Sequence, residues 1–170
     1  YIFFATGTGI APFRGMLLDL LKGAPQAGRP PLAPSSRIAL ILGSPYASDL
    51  LYDKDLKALA AEHPNFTYLT AISREKQADG SGPMYVQDRL TSHREMLSDL
   101  LSSPRGLLYV CGIAGMELGI FQKLATTFQG DDLAQYLQAD AATLENVKGW
   151  ERRMIHKEVK PTRRIFLEVY

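Results

Sequence analysis

The stretch Tyr1-Ile-Phe-Phe-Ala-Thr-Gly-Thr-Gly-Ile-Ala-Pro-Phe-Arg14 limits what this chain can fold into more than any other. Four apolar or aromatic residues run into Thr6-Gly7-Thr8-Gly9, and Ile10, Phe13, Leu17, Leu18 and Leu21 follow at helical spacing. The pattern predicts a strand, a tight turn and a helix. Gly7 and Gly9 permit the turn and let a ligand approach the backbone, while the free N–H groups that open the helix favour an anion above them. Pro12 suits the first helical turn, where its missing N–H costs nothing, yet it stands where the common fingerprint G-x-G-x-x-G wants its third glycine. A bare G-x-G also occurs as a plain strand–helix connection, so the motif needs support from the rest of the chain.

That support comes from the rhythm downstream. Gly23 to Ser36, rich in Pro, Gly and Ala, reads as a mobile surface loop. Arg37 to Gly43 is a continuous apolar run, the mark of a strand covered on both faces, and it ends in the turn Gly43-Ser44-Pro45. A helix is expected from Leu50 to Glu62 with Leu51, Leu56 and Leu59 inward, closed by His63-Pro64. Phe66 to Ile72 makes a third strand, and Ser73-Arg74-Glu75-Lys76 lies just past its end. Helical spacing then runs from Tyr85 through Leu101 to a break at Pro104. Leu107 to Cys111 is a fourth strand, and Gly112-Ile113-Ala-Gly115-Met116 leads into a helix ending near Gly130. Asp131 to Lys148 continues in helical style, with Leu133, Leu137 and Leu144 as core candidates, and Arg163 to Tyr170 is the last strand.

Strands separated by helices in this way imply an α/β fold, a doubly wound parallel sheet with helices on both faces, within one domain spanning 1–170. In such sheets ligands lie over the carboxyl ends of the strands. The candidate residues are therefore those at the turns: Thr6 to Gly9, Ser44, Ser73 to Lys76, Gly112 and Ile113. A domain of this kind that binds NAD places Asp or Glu about 20 residues past its glycines to hold the ribose diol. Here the second strand ends in Gly43-Ser44, without a carboxylate. The third offers Ser73, Arg74 and Lys76, a hydroxyl and two cations suited to a phosphate dianion, which favours NADP. The same segment also reads as an ordinary solvated loop, and Tyr85 as either an adenine platform or a core aromatic.

A formal charge of +1 over 170 residues shows no basic face for nucleic acid and no polybasic block for a membrane surface. No apolar run approaches the roughly 18 residues that cross a bilayer. The single cysteine excludes an internal disulfide and fits a reducing, cytoplasmic setting. His63, His93 and His156 lack metal-ligand spacing, so no metal site is expected. The chain starts without Met inside an apparent strand, and we expect a fragment of a longer protein.

Ala5 to Arg14, Leu50-Leu-Tyr-Asp53, Ser73 to Lys76, Met84-Tyr-Val-Gln-Asp88, Tyr109-Val-Cys-Gly112 with Gly115-Met116, and Glu168-Val-Tyr170 occur in this order and together span nearly the whole chain. In combination they closely resemble the NADP-linked, carboxyl-terminal half of plant-type ferredoxin–NADP reductases. The resemblance implies a flavoenzyme in which NADPH lies across this sheet and passes hydride to FAD held by a separate upstream barrel domain. It further implies that Thr6, Gly7, Thr8 and Gly9 hold the pyrophosphate, that Ser73, Arg74 and Lys76 bind the 2′-phosphate, and that Tyr85 and Gln87 receive the adenosine. Cys111 and Glu168 would flank the nicotinamide, and Tyr170 would cover the flavin until nicotinamide displaces it. Without the resemblance, Cys111 reads as a buried core thiol and Glu168 as a surface residue of the last strand.

Leu144 to Thr162 departs from the family as extra length, basic around Arg152 and Arg153 and containing Trp150. This insert and the segment Lys160 to Tyr170 look similar to the reductase component of the bacterial benzoyl-CoA epoxidase system. That would make the electron acceptor an oxygenase component working on a CoA thioester and not a photosynthetic ferredoxin; for the family at large the acceptor is expected to be a ferredoxin, an iron-sulfur domain or an oxygenase component. The insert reads either as a docking surface or as a surface helix whose Trp150 packs on the sheet. Two other readings of the whole are the NADPH domain of a diflavin reductase and a non-catalytic NADP-binding module.

Overall fold

A computed structural model describes residues 1–33 and 35–170. The elements in chain order are β1 (Ile2–Thr6), α1 (Ile10–Lys22), β2 (Ile38–Ser44), α2 (Asp53–Glu62), β3 (Phe66–Ile72), α3 (Arg89–Ser92), α4 (Arg94–Leu101), β4 (Leu108–Gly112), α5 (Met116–Thr127), α6 (Gly130–Ala134), β5 (Leu137–Gln138), α7 (Ala141–Glu145), β6 (Lys160–Pro161) and β7 (Ile165–Val169). Five strands form one sheet in the order β3-β2-β1-β4-β7, all parallel. The doubly wound α/β arrangement is thus as the sequence predicts.

Alternate residues of β1 feed two cores. Phe3 and Ala5 pack with Ile10, Phe13 and Leu17 of α1 and Leu56 of α2. Ile2 and Phe4 face the other way, toward Leu97 of α4 and Ile120 and Phe121 of α5. Burial on both faces explains why β1 and β2 are continuous apolar runs without alternation. The chain builds β1, β2 and β3 outward in one direction and then returns to lay β4 and β7 on the other flank of β1. The order therefore reverses between β1 and β4, and the loops leaving these two strands diverge to open a crevice.

Several boundaries differ from the sequence expectation. The second helix starts at Asp53, three residues later than Leu50, because Tyr52 takes a left-handed φ of 59° that no helix interior accepts. Leu51, expected inward, is 42% exposed as a result. The helix expected over Tyr85 to Leu101 is a 3₁₀ turn (Val86–Asp88) followed by α3 and α4, which are interrupted at His93. Asp131 to Lys148 is not continuously helical: Leu137 belongs to β5, which pairs antiparallel with β6 in a separate ribbon. Leu133 and Leu137 are buried as expected, while Leu144 is half-buried. Within the loop Gly23 to Ser36, residues 24 and 29 exchange backbone hydrogen bonds of 2.7 and 3.1 Å, and Arg29 pairs with Asp19, so this part is pinned. Pro34 of the same loop lies outside the described residues.

Candidate functional site

The turn after β1 is where the fold approaches a ligand most closely. Gly7 to Gly9 form a 3₁₀ turn leading straight into α1, and Gly7 has a φ of +52°. A Cβ on Gly9 would collide with the Cys111 carbonyl, so only glycine lets the start of α1 seat against β4. The Thr6 hydroxyl accepts from the Ile113 N–H at 3.0 Å and lies 3.3 Å from the Met116 sulfur. It ties the loops after β1 and β4 together, and the exposed parts of the turn available to an anion are those of Gly7 and Thr8.

The loops after β1, β2, β3 and β4 converge on one cavity of about 690 Å³, within the size range of ligand pockets. Thr6, Gly7 and Thr8 line its floor, with Ser44 and Ser73 at one end and Ile113 at the other. Tyr85, Gln87 and Tyr170 complete the wall. Tyr85 is 64% exposed, which settles it as a rim aromatic and not a core one. Its backbone N–H donates to Asp88 at 2.9 Å, and Asp88 pairs with Lys123 of α5, so the backbone that carries the ring is anchored.

At the Ser73 end the backbone of the β3 loop is fastened to the β2 loop. The Ser73 N–H donates to the Ser44 carbonyl and the Arg74 N–H to the Pro45 carbonyl, both at 3.0 Å. Glu75 accepts from the Ala47 N–H at 2.5 Å. Arg74 and Lys76 do not line the cavity; both are exposed in the segment that follows Ser73, and the Arg74 guanidinium lies 6.0 Å from the Tyr46 ring centroid.

Tyr170 closes the opposite end. Its backbone pairs with Gly112 and Ala114, and its hydroxyl sits 2.5 Å from that of Thr8 in the glycine turn. Cys111 and Glu168 are register partners across β4 and β7, but neither lines the main cavity. Cys111 is buried against α1, and burial, with a smaller contribution from Glu168, holds its thiol above the ordinary range. Glu168 lines a second, polar cavity of about 500 Å³ with Arg153 and His156.

Three buried polar residues escaped sequence reasoning. Gln77 and Arg89 lie beneath the β3 loop, and Glu117 in the first turn of α5 accepts from the Gly115 N–H at 2.7 Å. The Arg152 Nε donates to the same Glu117 carboxylate at 2.5 Å. Sequence reasoning grouped Arg152 with Arg153 as one basic surface. The structure separates them, because Arg152 serves a buried carboxylate whereas Arg153 pairs with Glu151 in solvent. Nor is the insert a surface helix: 3₁₀ turns carry Trp150 into the α5-side core, where it is 4% exposed and donates to the Thr143 carbonyl. Among the described residues no group of three or more His, Cys, Asp or Glu is placed to hold a metal. No helix of the described residues is long and apolar enough to cross a membrane.

A parallel sheet whose loops form one basin at the switch point, floored by a glycine turn, defines a dinucleotide-binding α/β domain. The profile of the oxidoreductase NAD-binding domain family matches residues 3–121. The chain belongs to this family, as the domain found in ferredoxin–NADP reductases. It is 40% identical over 121 residues to the ferredoxin–NADP reductase of a Spirulina species, covering 70% of this chain and 40% of that protein. The root isozyme of rice is 30% identical over 172 residues, covering 100% of this chain and 39% of its own length. The ferredoxin–NADP⁺ reductase structure from Plasmodium falciparum superposes with a TM-score of 0.63 at 22% identity, over 99% of this chain and 52% of that one. The chain thus spans about half, or less, of the length of these relatives.

Proposed function

We propose that this chain is the NADPH-binding half of a flavin-dependent oxidoreductase, working with an FAD-binding barrel domain that precedes it in the same protein. Its electrons pass on to a ferredoxin-type or other iron-sulfur partner. The observation that carries the reading is the convergence of four strand-end loops on one cavity, with the glycine turn as floor and the Ser73 segment at one end. The residues fit the nucleotide: exposed backbone at Gly7 and Thr8 for the pyrophosphate, Ser73 with Arg74 and Lys76 of the segment that follows it for a 2′-phosphate, and Tyr85 and Gln87 for the adenosine.

When bound, the nicotinamide supplies the hydride and the flavin takes it up. The residues of this chain bind and orient. Tyr170 stands over the end of the cavity toward which the nicotinamide would extend, so access there depends on its ring moving aside. Cys111 and Glu168, neighbours across β4 and β7, would flank the nicotinamide only from behind the cavity wall, since neither lines the cavity and Cys111 is buried.

An oxygenase component as acceptor finds less support. The two relatives carry the name ferredoxin–NADP reductase, and in the insert Trp150 is buried while Arg152, though exposed, is committed to Glu117.

The test is the double variant Arg74→Ala/Lys76→Ala. Two charge-assisted hydrogen bonds of about 1.5–3 kcal/mol each predict an NADP⁺ affinity loss of roughly a hundredfold or more. NAD⁺ affinity is expected to stay nearly constant. Equal losses for both nucleotides in calorimetric titration would reject the assignment.

A further inference from the structure

β3 is an edge strand of the sheet, and among the described residues no further strand pairs with Ile72 on its outer side. The side-chain amide of Gln77 takes that place. Its Oε1 accepts from the Ile72 N–H at 3.0 Å and its Nε2 donates to the Ile72 carbonyl at 2.8 Å, the two bonds that a residue of a neighbouring antiparallel strand would make. The same Nε2 reaches the Gly82 carbonyl at 3.2 Å, and the Met84 N–H returns to the Ile72 carbonyl at 2.8 Å. Residues 73 to 84 are thereby drawn into a closed loop with Gln77, 4% exposed, as its plug. Arg89 backs the plug: 5% exposed, it donates from Nε to the Thr70 carbonyl at 2.8 Å and from Nη2 toward Gln77 Oε1 at 3.4 Å. Among the described residues it has no carboxylate partner within 4.0 Å.

The location gives this device a function. Ser73 and Tyr85, which flank the loop, both line the cavity, and Lys76 is the immediate neighbour of the plug. The loop also lies where no regular secondary structure would hold it, since β3 ends at Ile72 and the next 3₁₀ turn begins at Val86. Its first residues are tied to the β2 loop through Ser73, Arg74 and Glu75, and from Gln77 onward its shape depends on the Gln77 bonds together with the turn that Gln77, Gly80 and Ser81 close among themselves.

We infer that Gln77, supported by Arg89, is the positioning residue that gives this domain its preference for a 2′-phosphorylated nucleotide. It fixes the separation of Ser73 from Tyr85 and the direction of Lys76. Neither Gln77 nor Arg89 touches the nucleotide. The inference rests on the function proposed above and adds the reason why the Ser73 to Lys76 segment is ready to receive a phosphate.

The experiment compares two probes that differ only by that phosphate, adenosine 2′,5′-bisphosphate and 5′-AMP, titrated into the 170-residue chain. The wild-type chain is expected to prefer the bisphosphate. Gln77→Ala should lower the ratio of the two affinities by about tenfold, equivalent to about 1.4 kcal/mol, with 5′-AMP binding changed by less than about twofold. Gln77→Met, similar in length and unable to bond Ile72, carries the same expectation should the smaller residue prevent folding. Arg89→Lys keeps a cation within reach of the Thr70 carbonyl and should retain most of the ratio, whereas Arg89→Met should not. An unchanged ratio in the Gln77 variants, or parallel weakening of both probes, overturns the inference while leaving the proposed function standing. A wild-type chain that binds the two probes equally overturns both.

Discussion

The two ends of the cavity are held by different means. At the Ser73 end the ties span fewer than 30 positions: Gln77 bonds Ile72 five residues away, Arg89 bonds Thr70 nineteen residues away, and Ser73, Arg74 and Glu75 bond Ser44, Pro45 and Ala47 of the β2 loop. At the Tyr170 end they are long: Thr6 to Ile113 spans 107 positions, Thr8 to Tyr170 spans 162, and Arg152 to Glu117 spans 35 and carries full charges. One wall needs only β2, β3, the loops that follow them and Arg89 of α3. The other is assembled only when β1, β4, β7 and the insert are all in place. If the ends are as separable as this suggests, damage to one should leave ligands of the other undisturbed.

The largest effect is expected from Arg152→Ala. Glu117 is 3% exposed, and removing its cationic partner leaves a buried carboxylate supported by the Gly115 N–H alone. Because Arg152 is itself 55% exposed, the loss should fall at the low end of the buried-pair range, about 3 kcal/mol. Chemical denaturation should show it, while adenosine 2′,5′-bisphosphate, a ligand of the far end, should bind within about twofold of the wild type under native conditions. A full-sized loss of affinity for that ligand would show that the two walls form one unit. Reversing the charge of Arg153, which reaches only Glu151, should leave stability unchanged.

A smaller effect belongs to Tyr170→Ser. The phenol lines the cavity and meets the Thr8 hydroxyl, and a hydrogen bond of this kind is worth roughly 1 kcal/mol. Freed of the ring, the chain should bind NADP⁺ about fivefold more tightly, with the bisphosphate probe unmoved because it lacks the nicotinamide. Tightening of both ligands alike would mean that Tyr170 restrains the whole basin, and no change in either would remove its gating role.

The same contrast explains what the sequence made legible. The glycine turn, the apolar strands and Ser73 to Lys76 each occupy a few consecutive residues, so their chemistry can be read in place. Even the crevice follows, since alternation of strands and helices implies a doubly wound parallel sheet whose ligands lie over the carboxyl ends of its strands. The far wall cannot be read in this way. Nothing local to Glu117 or Arg152 announces that they meet, and the pairing of β5 with β6 joins two dipeptides more than 20 positions apart. Tyr170 entered only through resemblance to a family, because a terminal tyrosine carries no pattern of its own. Gln77 is the exception on the near side: in a polar loop a glutamine that plugs an edge strand looks like any solvated one.

Cys111 offers the smallest effect, and its sign can be worked out. The thiol is held above its ordinary range first by burial and then by Glu168. Below the ordinary thiol value, about 8.5, folded and unfolded chains both keep this proton and stability does not depend on it. As pH rises past that value the unfolded chain releases the proton and the folded chain retains it. The unfolded state then binds fewer protons, so stability falls with pH, by at most about 1.4 kcal/mol per unit for one group. Tyrosines titrate in the same region, and the difference between wild type and Cys111→Ser cancels them. Denaturation midpoints measured from pH 7 to 10 should therefore fall more steeply for the wild type than for the variant above about pH 8.5. The opposite slope would mean that the folded chain stabilises a thiolate, which neither burial in the α1-side core nor the neighbouring Glu168 carboxylate permits, and would reject this placement of Cys111.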